Sequence, residues 1–107
     1  MEFQFNPEIL IELPNLEETL KLFKDIMNLP VTKYDFENSE MYEIKTGSVN
    51  FYLKSGETYK IIFDFLTKDR EVAKKLLLEN SCSIYRWDKV GYHIEHSSGF
   101  TFNVGEK

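Results

Sequence analysis

One order of elements occurs twice in this chain, at a spacing of about fifty residues, and that repeat limits the fold more than any single motif. Residues 8–54 and residues 59–105 each read as a strand, a helix and three further strands. Neither stretch is long enough to close a core alone. The expectation is therefore one domain over residues 1–107, of α+β class. Two βαβββ modules would join into a curved eight-stranded mixed sheet, with the helices packed on its outer face. The hollow face is then left for a ligand.

The first module shows how the reading is made. Ile9, Ile11 and Leu13 fall at every second position, the period of a strand with one buried face, and Pro14 closes it. Asn15 followed by Glu18 has the spacing of a capping box, in which the amide caps the first turn and the carboxylate reaches back. Leu16, Leu20, Phe23 and Met27, with Ile26 beside them, then repeat at helical spacing and predict an apolar stripe packed on the sheet. Asn28 tolerates the left-handed conformation and is expected to end the helix before Leu29 and Pro30. Strands are predicted at 31–36, 41–46 and 49–54, separated by residues 37–40 and by a hairpin turn at Gly47-Ser48.

In the second module a strand runs over 59–66, with Ile61, Phe63 and Phe65 alternating against Ile62 and Asp64. A helix is predicted to start near Thr67 or Asp69 and to stop about Asn80, carrying Val72, Ala73, Leu76 and Leu77 on one face. Strands at 85–87, 90–95 and 101–104 complete the set.

Charge and composition exclude several classes of partner. The net charge is −5 and the cations are scattered among carboxylates, so nucleic acid, which draws its affinity from clustered Lys and Arg, is not an expected partner. No apolar run approaches the roughly 20 residues that span a bilayer, and the start MEFQFNPEIL lacks the basic stretch and apolar core of a signal peptide. No membrane partner and a cytoplasmic location are the expectations. Cys82 is the single cysteine, so no intrachain disulfide or cysteine metal cluster can form.

The stretch from Ile9 to Pro30 resembles the opening of the vicinal oxygen chelate superfamily, which includes glyoxalase I, bleomycin-resistance proteins and extradiol dioxygenases. Asn15 stands where the superfamily has an acidic cap, Leu16-Glu17 matches its Leu-Glu, Phe23 its helix aromatic and Met27-Asn28-Leu29 its Leu-Gly-Leu exit. The closing Ile94-Glu95-His96-Ser97-Ser98-Gly99-Phe100-Thr101-Phe102-Asn103-Val104 is similar to the superfamily's last hairpin; it keeps Gly99 but not the Asp-Pro-Asp before it. The resemblance implies the fold already read from the repeat, and a homodimer.

It also implies where a divalent cation would sit. Metal-dependent members carry a ligand on the first and on the last strand of each half. Those places fall on Glu8, on Tyr52 or its neighbour, on one of Lys60, Ile61 and Ile62, and on Asn103. Only Glu8 is a good donor to a divalent cation, so no metal and no cofactor are expected.

Side chains opposite the core face of each strand should line the hollow, because strand side chains alternate. They are Glu8, Leu10 and Glu12, then Asn50 and Tyr52, Ile62 and Asp64, His93 and Glu95, Thr101 and Asn103. Such an acidic, aromatic and amide lining suits a small organic molecule. Three functions remain open: a glyoxalase-like or bleomycin-resistance-like protein that binds a small ligand without the metal; a metal-dependent lyase, isomerase or dioxygenase rebuilt around Glu8, Asp64, His93 and Glu95; and a pocketless dimeric module whose hollow is filled by Leu10, Tyr52 and Ile62. No residue carries a catalytic signature such as a phosphate loop, a His-Glu-X-X-His or a nucleophile elbow.

Overall fold

The structure is a computed structural model that describes residues 2–36, 39–88 and 91–107. The expected connection at residues 37 and 38 and the expected start of a strand at Val90 lie outside the described residues. The chain forms two compact units, residues 7–61 and residues 62–107 together with the first six. Strand β1, Gln4–Leu13, begins four residues earlier than its alternation predicts, and its first three residues belong with the second unit.

In the first unit β1 is followed by α1 (Leu16–Lys21), β2 (Val31–Phe36), β3 (Ser39–Lys45) and β4 (Asn50–Ser55). The strand order is β2-β3-β4-β1, with β1 and β4 parallel and the other pairs antiparallel. In the second unit β5 (Lys60–Thr67), α2 (Arg70–Leu78), β6 (Cys82–Trp87), β7 (Tyr92–His96) and β8 (Thr101–Glu106) repeat the scheme as β6-β7-β8-β5, with β5 and β8 parallel. A parallel pair needs a long crossover between its strands, and here a helix and two strands supply it. The units thus contain the eight strands and two helices of two βαβββ modules, an α+β architecture. Among the described residues no helix is long and apolar enough to cross a membrane.

Each unit has its own core on the helix side. Leu13, Ile44 and Leu53 are buried against Leu16, Leu20 and Phe23 in the first. Ala73, Ile94, Phe102 and Val104 are buried against Phe63, Phe65 and Leu77 in the second.

Three local expectations change. The Asn15 side chain makes no capping hydrogen bond; instead its carbonyl oxygen accepts from both the Thr19 backbone N–H and the Thr19 hydroxyl, each at 3.3 Å. After Lys21 the helix widens into a π-type turn over Leu22–Ile26, closed by Met27 N–H donating to the Leu22 carbonyl at 3.0 Å. One extra residue per turn shifts the phase of everything beyond it, so Ile26 and Met27 leave the packed stripe and are 73% and 51% exposed. Asn28 ends the segment with φ of 54°, as its tolerance of the left-handed region predicts. In the second helix Ala73 and Leu77 pack, whereas Val72 and Leu76 stay exposed because α2 lays only a narrow stripe on the sheet.

The start of α2 is capped by Asp69, whose Oδ1 accepts from the Glu71 and Val72 backbone N–H groups, both at 3.1 Å. Loss of such a cap costs about 1 kcal/mol. Asp69→Ala is therefore expected to lower the urea midpoint without changing the slope of the transition.

Candidate functional site

The helix-free face of the first unit is assembled by register. Glu8, Leu10 and Glu12 of β1 lie opposite Asn50, Tyr52 and Lys54 of β4, and Tyr52 lies opposite Glu43 of β3. The Tyr52 hydroxyl donates to Glu43 Oε2 at 2.9 Å and stands 3.4 Å from Glu8 Oε1. Asn50 Nδ2 donates to the same Glu43 oxygen at 3.4 Å, and the Tyr34 ring meets Tyr52 edge-on with centroids 6.0 Å apart. Burial, reinforced by the hydrogen bond to Glu43 and by the Glu8 charge, pushes the Tyr52 phenol far up, so it stays a neutral donor. Glu12 lies apart from this group and faces Lys54 Nζ at 3.6 Å.

The corresponding face of the second unit carries a different cluster. Asp64 and His93 both flank Asn103 in register, and Ile62 and Glu95 both flank Thr101. Asn6 Nδ2 donates to Asp64 Oδ2 at 2.6 Å. Burial raises the Asp64 carboxyl above its ordinary value of 3.8, against the opposing effect of the Asn6 hydrogen bond. The His93 ring, 5% exposed, places Nε2 3.0 Å from Asp88 Oδ2 and 3.4 Å from Arg86 Nη2. A bulge in β6 between Ile84 and Arg86 turns this edge toward His93, bringing the Tyr85 ring to 6.1 Å from the imidazole as well. His93 Nδ1 and Asn103 Oδ1 are buried and have no hydrogen-bond partner among the described residues.

Of the residues nominated from sequence, Glu8 and Tyr52 come together in one unit, and Asp64, His93 and Asn103 in the other. Leu10 neighbours Tyr52, while Glu95 is exposed at the end of β7. Thr101 is buried, and Ile62 is only 2% exposed. Ile61, expected on the core face with Phe63 and Phe65, is 39% exposed, because β5 has barely begun there. Alternation missed Glu43, Asn6, Asp88 and Arg86. Glu43 shares the period-two face of β3, whereas Asp88 lies beyond β6 and is held by the hydrogen bonds it exchanges with Gly91.

No protein-family model and no curated protein matches this sequence. Solved structures do match. A hypothetical protein from Bacillus halodurans C-125 aligns over 100% of this chain and 96% of its own, at 12% identity and a TM-score of 0.69. A glyoxalase/bleomycin resistance protein/dioxygenase superfamily member from Vibrio splendidus 12B01 aligns over 99% and 98%, at 12% identity and a TM-score of 0.68. The chain has the vicinal oxygen chelate fold. An uncharacterized protein from Methanosarcina mazei also aligns, over 99% of this chain and 94% of its own, at 18% identity and a TM-score of 0.56.

With the vicinal oxygen chelate fold in place, register decides the two positions that sequence left open. Ile62 faces Thr101 on β5 and β8 as Glu8 faces Asn50 on β1 and β4, so Ile62 is the counterpart of Glu8 and Asn103 that of Tyr52. The four places where the fold's metal-dependent members hold a cation are then a carboxylate, a neutral phenol, an aliphatic side chain and an amide. These donors do not fit a catalytic divalent ion. Nor do the described residues contain any group of three or more His, Cys, Asp or Glu side chains placed to hold one.

Asp64 supplies a test of how this face is held. Its pKa is raised on folding, so the folded chain loses stability relative to the unfolded one as pH climbs from 3.8 through the raised value, and the deficit persists at neutral pH. Below 3.8 both states are protonated and the deficit vanishes. Asp64→Asn is expected to be more stable than the parent chain at neutral pH and to match it near pH ~3 in paired urea titrations. A variant less stable at neutral pH would contradict the assignment.

Proposed function

We propose that this chain binds a small organic ligand on the helix-free strand face of the second unit and does so without a divalent cation, as a holder of its ligand instead of a catalyst. One observation carries the reading: the half-buried polar groups on this face are kept at a cost to folding. Asp64 is held with a raised pKa. His93 is buried with one ring nitrogen unpartnered among the described residues. Polar groups withheld from water in this way cluster at functional sites. The fold supports the reading, since the relative from Vibrio splendidus is described as a glyoxalase/bleomycin resistance protein/dioxygenase superfamily member.

The rebuilt metalloenzyme would have to gather Glu8, Asp64, His93 and Glu95. Glu95 points to solvent and His93 already engages Asp88, so these side chains support a ligand site better than a metal centre. A homodimer is part of the proposal, and light scattering of the purified chain at twice the mass of 12.7 kDa would support it.

A thermal-shift screen tests the function, because any compound that binds only the folded state raises its melting temperature. Shifts with small organic molecules, and none with Zn, Ni, Fe or Mn, are the expected result. Stabilisation by one of those metals at one ion per chain would overturn it.

A further inference from the structure

We infer that the His93–Asn103 pair on the second unit's helix-free face receives an N–H-bearing cationic group of the ligand, an amidinium or a primary amine. This rests on the ligand-binding reading above and adds the chemical class that the site selects.

The argument begins with Asp88. An ionised carboxylate only accepts hydrogen bonds, and at 3.0 Å its Oδ2 is closer to His93 Nε2 than Arg86 Nη2 is at 3.4 Å. The hydrogen of a neutral imidazole therefore sits on Nε2, and Nδ1 presents a lone pair. Nδ1 is buried without a partner among the described residues, on a side chain only 5% exposed.

Directly across the ladder, Asn103 Oδ1 is in the same condition. It too is an acceptor. Asp64, the other register neighbour of Asn103, adds a carboxylate. Two unpartnered acceptors and a carboxylate thus stand side by side in the register of β7, β8 and β5, and Asn6 Nδ2, a nearby amide donor, is committed to Asp64 Oδ2. Buried acceptors left unpaired cost the fold unless something brings hydrogens to them. A ligand carrying two or more N–H groups satisfies Nδ1 and Oδ1 together, and an ionised carboxylate beside them favours a positive charge.

The other charges nearby agree with that sign. Arg86 is the one cation of β6 at this edge and stands beside Asp88, which offsets it, while Glu95 lies on the same face of β7 as His93.

The test uses the full chain and three probes of one shape: benzamidine, benzyl alcohol and benzoate. Benzamidine is expected to bind best in an NMR titration, moving the His93 and Asn103 signals, with benzoate weakest. In the free protein the ring nitrogens of His93 should show hydrogen on Nε2 and none on Nδ1. Asn103→Leu should weaken benzamidine about tenfold, the loss of one charge-assisted hydrogen bond, while Asn103→Asp, which keeps oxygen acceptors in place, should retain binding. If Asn103→Leu fails to fold, the probe order and the Asn103→Asp variant still decide. Preference for benzoate at these residues, unaltered benzamidine binding in Asn103→Leu, loss of binding in Asn103→Asp, or hydrogen on Nδ1 would overturn the inference and leave the ligand-binding reading standing. If neither these probes nor a broad compound panel moved His93 or Asn103, that reading would fall too.

Discussion

Ile94→Ala is expected to lower the melting temperature of this chain by roughly 10–20 °C, since a fully buried aliphatic truncation costs about 2–5 kcal/mol. Ile94 is 0% exposed and packs with Ala73, Phe102 and Val104 in the second unit. The helix and sheet around it cannot close fully on a missing side chain, so the cost includes the cavity as well as the lost transfer energy. Calorimetry of the variant measures it. A loss below about 1 kcal/mol, the scale of a partly exposed site, would mean that Ile94 is not at the centre of this core.

Gly91→Ala is expected to be comparably damaging for a different reason. A Cβ at position 91 would collide with the Val104 carbonyl oxygen and lie 2.9 Å from its carbon and 3.1 Å from the Gly105 Cα. All three are backbone atoms of β8 and cannot swing aside, so the backbone must shift, at a cost of about 1–3 kcal/mol. Gly91 also holds Asp88, the partner of His93: Asp88 N–H donates to the Gly91 carbonyl at 3.1 Å, and Gly91 N–H donates to Asp88 Oδ1 at 3.2 Å. The variant should therefore show a lower urea midpoint together with displaced His93 ring signals. A stable variant with His93 unmoved would contradict both the packing and the proposed support of the imidazole.

How far the chain could be read without coordinates depends on which forces are local. Alternation in Ile9, Ile11 and Leu13 and the helical spacing of Leu16, Leu20 and Phe23 are set by neighbouring residues, so the repeat and its element order were legible. The helical stripe broke down after Phe23 because a single π-type turn, closed by Met27 N–H on the Leu22 carbonyl, re-phases the side chains beyond it. Nothing in Lys24-Asp25-Ile26 announces it. Asn15 and Glu18 have capping-box spacing, yet at that end it is the Asn15 carbonyl that accepts, from the Thr19 N–H and hydroxyl.

The candidate site divides in the same way. Tyr52, Asp64, His93 and Asn103 follow from strand parity alone. Glu43 and Asp88 give Tyr52 and His93 their hydrogen-bonding character, and they were not legible from strand parity: Glu43 acts through the β3–β4 pairing, and Asp88 lies outside the strands. Burial was the harder quantity. Ile62 and Asp64 share a strand face, yet only Ile62 is closed off almost completely, because screening depends on neighbours in other strands and not on alternation.

The central claim is that a small organic ligand occupies the helix-free strand face of the second unit with no divalent cation involved. The most direct measurement is a 1H–15N NMR titration of the labelled chain with the strongest stabilising compound, run with and without EDTA. The account predicts shifts at Asp64, His93 and Asn103 that are the same in both. Shifts that disappear with the chelator, or that map onto Leu16–Lys21 and Arg70–Leu78, would contradict it.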